Sequence, residues 1–186
     1  MSPPGAAPGT VGTEGLRACM RLFPTGVALL TAGSGESATG MSVNSVISVS
    51  LTPPLVLVSV HHAARINRRL LDDRVFALSF LTAEQTGLTR TFAAADRPVG
   101  AMAVNVLGGV LKDSGVPFAA GASATIECVL QRAVPVEDHV LVIGRVTAAR
   151  LNPVLAPPQV SYQGTFTTVR QAGQPEKPEK KEHADG

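Results

Sequence analysis

The sequence predicts a mainly β protein: an antiparallel barrel with a few flanking helices. Short runs of β-branched and aliphatic residues recur with turn signals between them, as at Val46 to Leu51, Leu55 to Val60 and Val75 to Leu81. Two later segments alternate. Ala124 to Ala133 sets Ile126, Cys128 and Leu130 on one face and Thr125, Glu127 and Gln131 on the other, and Val140 to Ala148 alternates again. Helical spacing is confined to short stretches, too few to interleave a parallel sheet, so a doubly wound α/β fold is disfavoured.

Each element follows from its residues. Glu14 to Leu22 reads as a short helix ended by Pro24. Val27 to Thr31 reads as a strand, and the Gly33-Ser34-Gly35 turn leads to a second at Ala38 to Val43. Pro53-Pro54 separates the next two strands, because proline cannot sit inside a central ladder. Arg65 to Leu71 groups Ile66, Leu70 and Leu71 at helical spacing, with arginines elsewhere. After the strand Val75 to Leu81, Thr82-Ala-Glu-Gln85 has the capping-box pattern and starts a helix running towards Ala93. Gly108-Gly109 breaks the following segment, and Val136-Glu137-Asp138 turns the chain between the alternating strands.

At 186 residues, with 45% hydrophobic and 16% charged residues, the chain suits one domain with a large apolar interior and a buried subunit interface. Residues 1–12 are rich in Pro, Gly and Ala and are expected to be flexible. Residues 13–171 form the domain. Residues 172–186, where Lys177, Lys180 and Lys181 oppose Glu176, Glu179, Glu182 and Asp185, are expected to be a disordered charged tail. A net charge of +2, with no basic stripe or interleaved aromatics, leaves no nucleic-acid footprint. No apolar run reaches the roughly 18 residues a membrane span needs. No secretion signal is evident and two cysteines make no disulfide framework, so a cytoplasmic chain is expected. Cys19 and Cys128 sit in apolar patterns and read as packing residues.

The segment from Gly40 to His62 is the richest in chemistry. Its first apolar run is interleaved with Ser42, Asn44, Ser45, Ser48 and Ser50, a wall of short hydrogen-bonding groups suited to a flat polar ring. No nucleophile–base pair accompanies it. His61-His62 lacks Cys or carboxylate partners at ligand spacing, so no metal site is expected. Gly33-Ser-Gly35 is no dinucleotide fingerprint, and Asp138-His139 lacks a nucleophile elbow. The pattern points to a protein that holds a cofactor and leaves the reaction to it. Read from residues alone, these Ser and Asn side chains are equally ordinary strand-edge groups. Arg65, Arg68 and Arg69 make either an anion site or a solvated helix face, and His139 reads either as functional or as a turn histidine held by Asp138.

In order along the chain stand Phe23-Pro-Thr-Gly-Val27 leading to Thr31, Gly40-Met-Ser-Val-Asn-Ser45, Ser48-Val-Ser50 and Pro53-Pro54. Then come Phe76-Ala-Leu-Ser-Phe-Leu81, Ala83-Glu84-Gln85, Phe92-Ala93, Asp138-His139 with Gly144, and Tyr162-Gln-Gly164. Over residues 16 to 170 the chain resembles the flavin reductase-like family, whose fold is the FMN-binding split β-barrel. One departure is Glu137, where the family often carries the glycine of Gly-Asp-His; it bears on the turn geometry.

The resemblance implies a homodimer that uses NADH or NADPH to reduce free FAD or FMN. The reduced flavin then diffuses to a separate flavin-dependent monooxygenase or halogenase. NADH is favoured because no extra basic residue is evident for a 2′-phosphate. By resemblance, Met41, Ser42, Val43, Asn44 and Ser45 line the flavin ring, while Ser48, Val49 and Ser50 follow the ribityl chain. Ser59, Val60 and His61 with Arg65 hold the phosphate end, and Thr25, Phe92 and Ala93 complete the flavin contacts. His139 is the candidate catalytic group over the flavin and contacts the dinucleotide together with Tyr162, Gly164 and Phe166. Two other functions fit the same barrel: a non-catalytic flavin-binding or flavin-sensing protein, and an oxidase with a prosthetic flavin.

Overall fold

The computed structural model describes residues 12–154 and 156–169. The expectations for the tail at 172–186, and for all but the last residue of the 1–12 segment, lie outside those residues. The chain opens with helix α1 (Thr13–Arg21) and runs through strands β1 (Thr25–Gly26), β2 (Ala28–Ala32), β3 (Thr39–Val43), β4 (Val46–Leu51) and β5 (Pro54–His61). Helix α2 (Ile66–Asp72), β6 (Val75–Phe80), α3 (Thr86–Ala93) and α4 (Gly100–Leu107) follow. The remainder is β: β7 (Gly108–Val110), β8 (Pro117–Ala119), β9 (Ala124–Val136), β10 (His139–Leu151), β11 (Gln159–Tyr162) and β12 (Thr165–Thr168).

The main sheet is antiparallel throughout, with strand order β3-β2-β6-β9-β10-β5-β4. Its two edge strands, β3 and β4, are consecutive in sequence and joined only by Asn44 and Ser45. So short a link forces the edges together, and the sheet has to curl into a barrel that stays split there. The chain changes sheets at Val27, because β1 pairs instead with β11 in a small sheet of order β1-β11-β12.

Side-chain alternation builds two cores. Leu30, Val58, Val60, Phe76, Leu78, Cys128, Leu130 and Val142 fill the barrel. On the other side of β2, Leu29 packs with Leu81, Phe92, Ala103 and Leu107 beneath α3 and α4. All five residues of β2 are therefore buried, which explains why Ala-Leu-Leu-Thr-Ala carries no polar face. Each fully buried Leu or Phe contributes about 1.5–3 kcal/mol. Gly144 is required where it stands: a Cβ there would lie 2.3 Å from the Phe76 ring.

The expected strands and helices form close to their expected ends, although β9 and β10 each run three residues past Ala133 and Ala148. The capping signal at Thr82 holds, with the Thr82 N–H donating to Gln85 Oε1 at 3.1 Å, although the first turn is 3-10 before α3 begins. Helix α4 and the β7–β8 hairpin were not expected. Gly-Ala-Met-Ala-Val-Asn-Val-Leu has almost no polar face to give a helical period, and β7 and β8 are three residues each. Gly108 ends α4 in the left-handed region at φ 73°. Cys128 is buried as expected, and burial pushes its thiol up to about 12, but Cys19 is exposed on α1. The packing reading fails for Cys19 because α1 buries none of its residues.

Candidate functional site

The site grows from the split. Ser45 Oγ donates to the Ser59 carbonyl at 2.9 Å and accepts the Ser59 N–H at 3.2 Å, tying the β3–β4 link to β5. Its hydroxyl is thereby spent on the backbone. The neighbouring Asn44 side chain is exposed and, among the described residues, makes no hydrogen bond. Strand β5 pairs with β10, setting Ser59 opposite Leu141 and His61 opposite His139. Because alternate residues point outward, Leu57 and Ser59 of β5 and Leu141 of β10 form one wall outside the barrel.

A cleft of about 970 Å³ lies against this wall. Met20 and Phe23 at the end of α1 and Ile47 of β4 also line it, with Phe80 and Leu81 at its floor. The lining is mainly apolar, with Thr25, Asn44, Ser45, Ser59, Ser123 and Gln159 as its polar groups. Thr25 Oγ1 and Ser123 Oγ are buried there without a hydrogen-bond partner. Burying a hydroxyl unpaired costs about 1–3 kcal/mol, so two such atoms in one cleft mark a place built for a polar ligand edge. Gln159 is different: it is locked into a buried network, accepting from Thr89 Oγ1 and donating to Thr86 Oγ1.

Several residues expected at the flavin do not line this cleft. Met41, Val43 and Val60 point into the barrel core, and Phe92 is fully buried beneath α3 against Gly40. Alternation on β3 and β5 turns Met41, Val43 and Val60 inward, and Phe92 sits on the face of α3 that packs on the sheet. Ser42 faces outward, but its Oγ donates to the Thr89 carbonyl at 2.7 Å and so fastens α3 to β3. Ser48, Val49 and Ser50 lie on β4 outside the cleft lining, with Val49 the extra residue of a bulge opposite β5. Ala93 is exposed at the end of α3. Thr25, Asn44, Ser45 and Ser59 do come together.

The three histidines of the described chain cluster at the end of the β9–β10 hairpin. The His61 ring stacks on His62 with centroids 4.9 Å apart and meets His139 edge-on at 5.4 Å. His61 Nδ1 accepts the Ala63 N–H at 3.2 Å, so in the neutral ring Nε2 carries the proton. His139 is oriented the other way. Its Nδ1 donates to Asp138 Oδ1 at 2.7 Å, leaving Nε2 as an acceptor. That bond is the chief reason the Asp138 carboxyl sits below its ordinary value of 3.8. Glu137 takes the left-handed conformation at φ 47°, so the turn keeps a glycine-like backbone in spite of the side chain.

Arg65 lies at the far end of β3. Its Nη2 donates to the Ala95 carbonyl at 3.1 Å, while Arg97 Nη1 reaches the Phe92 and Ala94 carbonyls at 3.4 Å each. Both guanidiniums thus gather at the C-terminal end of α3, and among the described residues neither has a carboxylate partner. Burial, and secondarily the charge of Arg65, lower the pKa of Arg97. Phe92 touches Gly40, which is four residues along the extended strand from Asn44, or about 13 Å. Arg97 was not singled out as a flavin contact from sequence, because only the fold brings residues 65 and 97 together.

Of the expected dinucleotide contacts, Tyr162 and Phe166 are exposed on β11 and β12, and Gly164 is the second residue of the turn between them. Gly164 opens onto a side pocket that shares Asn44, Met20 and Phe23 with the cleft. His139 lines neither cavity, but it stands two residues along β10 from Leu141 at the cleft wall. Tyr162, Gly164 and Phe166 therefore gather on one hairpin, apart from His139 on another.

The model for the flavin reductase-like domain matches residues 20–170. An NADH-dependent FMN reductase of Streptomyces nodosus subsp. asukaensis is 42% identical over 166 residues, covering 89% of this chain and 88% of that protein. The flavin reductase component of a bacterial two-component tryptophan halogenase superposes with a TM-score of 0.80 at 34% identity, covering 86% of this chain and 99% of the other. An NADH:FAD oxidoreductase of Streptomyces globisporus, solved with NAD and FAD fragments, gives a TM-score of 0.77 at 34% identity over 87% and 94% of the two chains. A split barrel whose match spans nearly every described element is not a local coincidence of motifs: this chain belongs to the flavin reductase-like family.

Proposed function

We propose that this chain is an NADH-dependent flavin reductase that reduces free FAD or FMN and releases it to a separate monooxygenase or halogenase. The observation that carries the reading is the apolar cleft with two buried, unpartnered hydroxyls and a free amide at its mouth. Those donors and acceptors fit the polar edge of an isoalloxazine, and the apolar walls suit its rings. The relatives named for NADH, FMN and FAD support the substrates. The flavin supplies the two-electron acceptor: overall, NADH and a proton with oxidised flavin give NAD⁺ and reduced flavin.

The chain's own task is to bind and orient. Asn44, Thr25 and Ser123 take the ring's polar edge, Ser45 and Ser59 hold the strand backbone in place, and Arg65 with Arg97 receives the phosphate end. His139, its Nε2 turned into an acceptor by Asp138, orients the nicotinamide amide. A second copy of the chain is the partner for the bare wall. Leu16 and Met20 of α1, Leu22 just after it, and Ile47, Val49 and Leu51 of β4 are all exposed apolar side chains, the kind of surface a partner covers. No described helix is long and apolar enough to cross a membrane. A cytoplasmic setting fits an enzyme that consumes NADH.

The test is anaerobic bleaching of flavin by the purified protein in each of the four nicotinamide–flavin pairings. Many turnovers with excess flavin, fastest with NADH, are expected. One turnover of a tightly held yellow cofactor would instead identify a prosthetic-flavin protein, and no bleaching would overturn the catalytic reading.

A further inference from the structure

The side pocket beside the main cleft carries charge that the flavin does not use. It encloses about 290 Å³ between the last turns of α1 and the β11–β12 turn. Arg17 and Arg21 line it, four residues apart and so on one face of the helix. Opposite them are Ser161, Gln163 and Gly164. The turn is pinned to the helix, because the Gln163 N–H donates to the Arg21 carbonyl at 2.9 Å. Gln163 and Gly164 both have positive φ, 52° and 77°, and no atom lies within 4 Å of where a Gly164 Cβ would stand. A ligand can therefore lie against bare backbone there.

The electrostatics are unbalanced. Among the described residues Arg21 has no carboxylate partner, and the acid paired with Arg17 is Glu14, at 2.9 Å and 85% exposed. An exposed pair of this kind is worth little and is readily exchanged for a better anion. Asn44 belongs to both cavities, so a ligand held here reaches the mouth of the main cleft. The other arginine pair, Arg65 and Arg97, sits at the C-terminal end of α3, whose Phe92 packs against Gly40, four residues along β3 from Asn44. One bound flavin phosphate end cannot occupy both.

Given the flavin reductase reading above, we infer that Arg17 and Arg21 hold the pyrophosphate of the nicotinamide dinucleotide in this side pocket. The diphosphate carries two negative charges and meets two guanidiniums, each able to bind it bidentately. Gly164 leaves room for the adjoining ribose. Dinucleotide and flavin thus enter from opposite ends and meet at Asn44.

ADP-ribose, which has the pyrophosphate but no nicotinamide, is titrated calorimetrically into flavin-free wild-type protein and into Arg21→Ala, Arg21→Lys and the Arg17→Ala/Arg21→Ala double variant. Its Kd is expected to rise about tenfold in Arg21→Ala and more in the double variant, with Arg21→Lys between wild type and alanine. The KM for NADH and for NADPH should rise by the same factor, while the Kd for FAD and FMN stays within twofold. Absent ADP-ribose binding in wild type, or a double variant within twofold of it, overturns the inference. So does a loss confined to NADPH, which would place the 2′-phosphate here, or an equal loss of flavin affinity. Because α1 buries no side chain, these variants are expected to fold. Failure of the reductase reading itself shows separately, as wild type that binds ADP-ribose yet bleaches no flavin.

Discussion

The barrel has two outer walls with opposite fates. Around β2, β3 and β6 the outward side chains are roofed by α3 and α4: Leu29 is sealed under Phe92 and Leu107, and the Ser42 hydroxyl is spent holding α3. Around β4, β5 and β10 the outward side chains Ile47, Leu57, Ser59 and Leu141 have no such roof and line the cleft instead. Strand sequence separates the two only in part: Ala-Leu-Leu-Thr-Ala has no polar face, whereas Val-Ile-Ser-Val-Ser-Leu is interleaved with serines. What differs is covering. The fold closes one wall with its own helices and leaves the other uncovered.

The comparison breaks most directly in stability. Leu29→Ala removes a fully buried side chain and should cost about 3 kcal/mol in denaturant unfolding, whereas Ile47→Ala, at 56% exposure, should cost about 0.5 kcal/mol. Equal costs would mean that the second wall is packed as tightly as the first. Oligomeric state sharpens the same contrast. Ile47→Ser should weaken self-association in sedimentation, and Leu29→Ala should not do so apart from its effect on folding.

Much of this was legible beforehand, and the failures have a physical pattern. Strand positions followed from alternation and from Gly and Pro punctuation, and the split-barrel family from motifs in order. The polar segment from Met41 to Ser50 was also found, but a segment does not say which of its faces meets a ligand. Asn44 and Ser45 fall at the link between strands and stay at the site. Met41 and Val43 alternate into the core, Ser42 turns to a helix, and Ser48 to Ser50 continue along β4 past the cleft. Helix α4 was missed because it is apolar nearly all round. The arginine pairs were the least visible, since 65 with 97, and 17 and 21 with 164, become neighbours only in three dimensions.

Within the open wall, Asn44 is expected to matter far more to ligand than to fold. Its side chain is exposed and bonds no described residue, so Asn44→Ala should change unfolding stability by less than about 0.5 kcal/mol. Flavin affinity, followed by fluorescence quenching, should fall about tenfold, the effect of losing one or two well-placed hydrogen bonds. Ser45→Ala is the counterpart: it removes both bonds to Ser59, so its effect should appear in stability first. If the two variants exchange these effects, the division between a ligand-facing Asn44 and a strand-tying Ser45 is wrong.

The smallest effects are expected at the hairpin end, where the histidines meet. His139→Ala should raise the KM for NADH several-fold while leaving flavin affinity within twofold. Asp138→Asn keeps the imidazole but replaces a carboxylate acceptor by an amide, which no longer insists that Nδ1 carry the proton. Its effect should be weaker, about threefold, and it should change the acid side of the profile. The Asp138 carboxyl is held below 3.8 by the His139 bond, so whatever the bond contributes is present above the unfolded value and is lost only as pH falls through the lower folded one. Between pH 5 and 8 the wild-type interaction is therefore constant on the aspartate's side. If His139→Ala weakens flavin affinity as much as it raises the KM for NADH, His139 is not the ring that meets the dinucleotide.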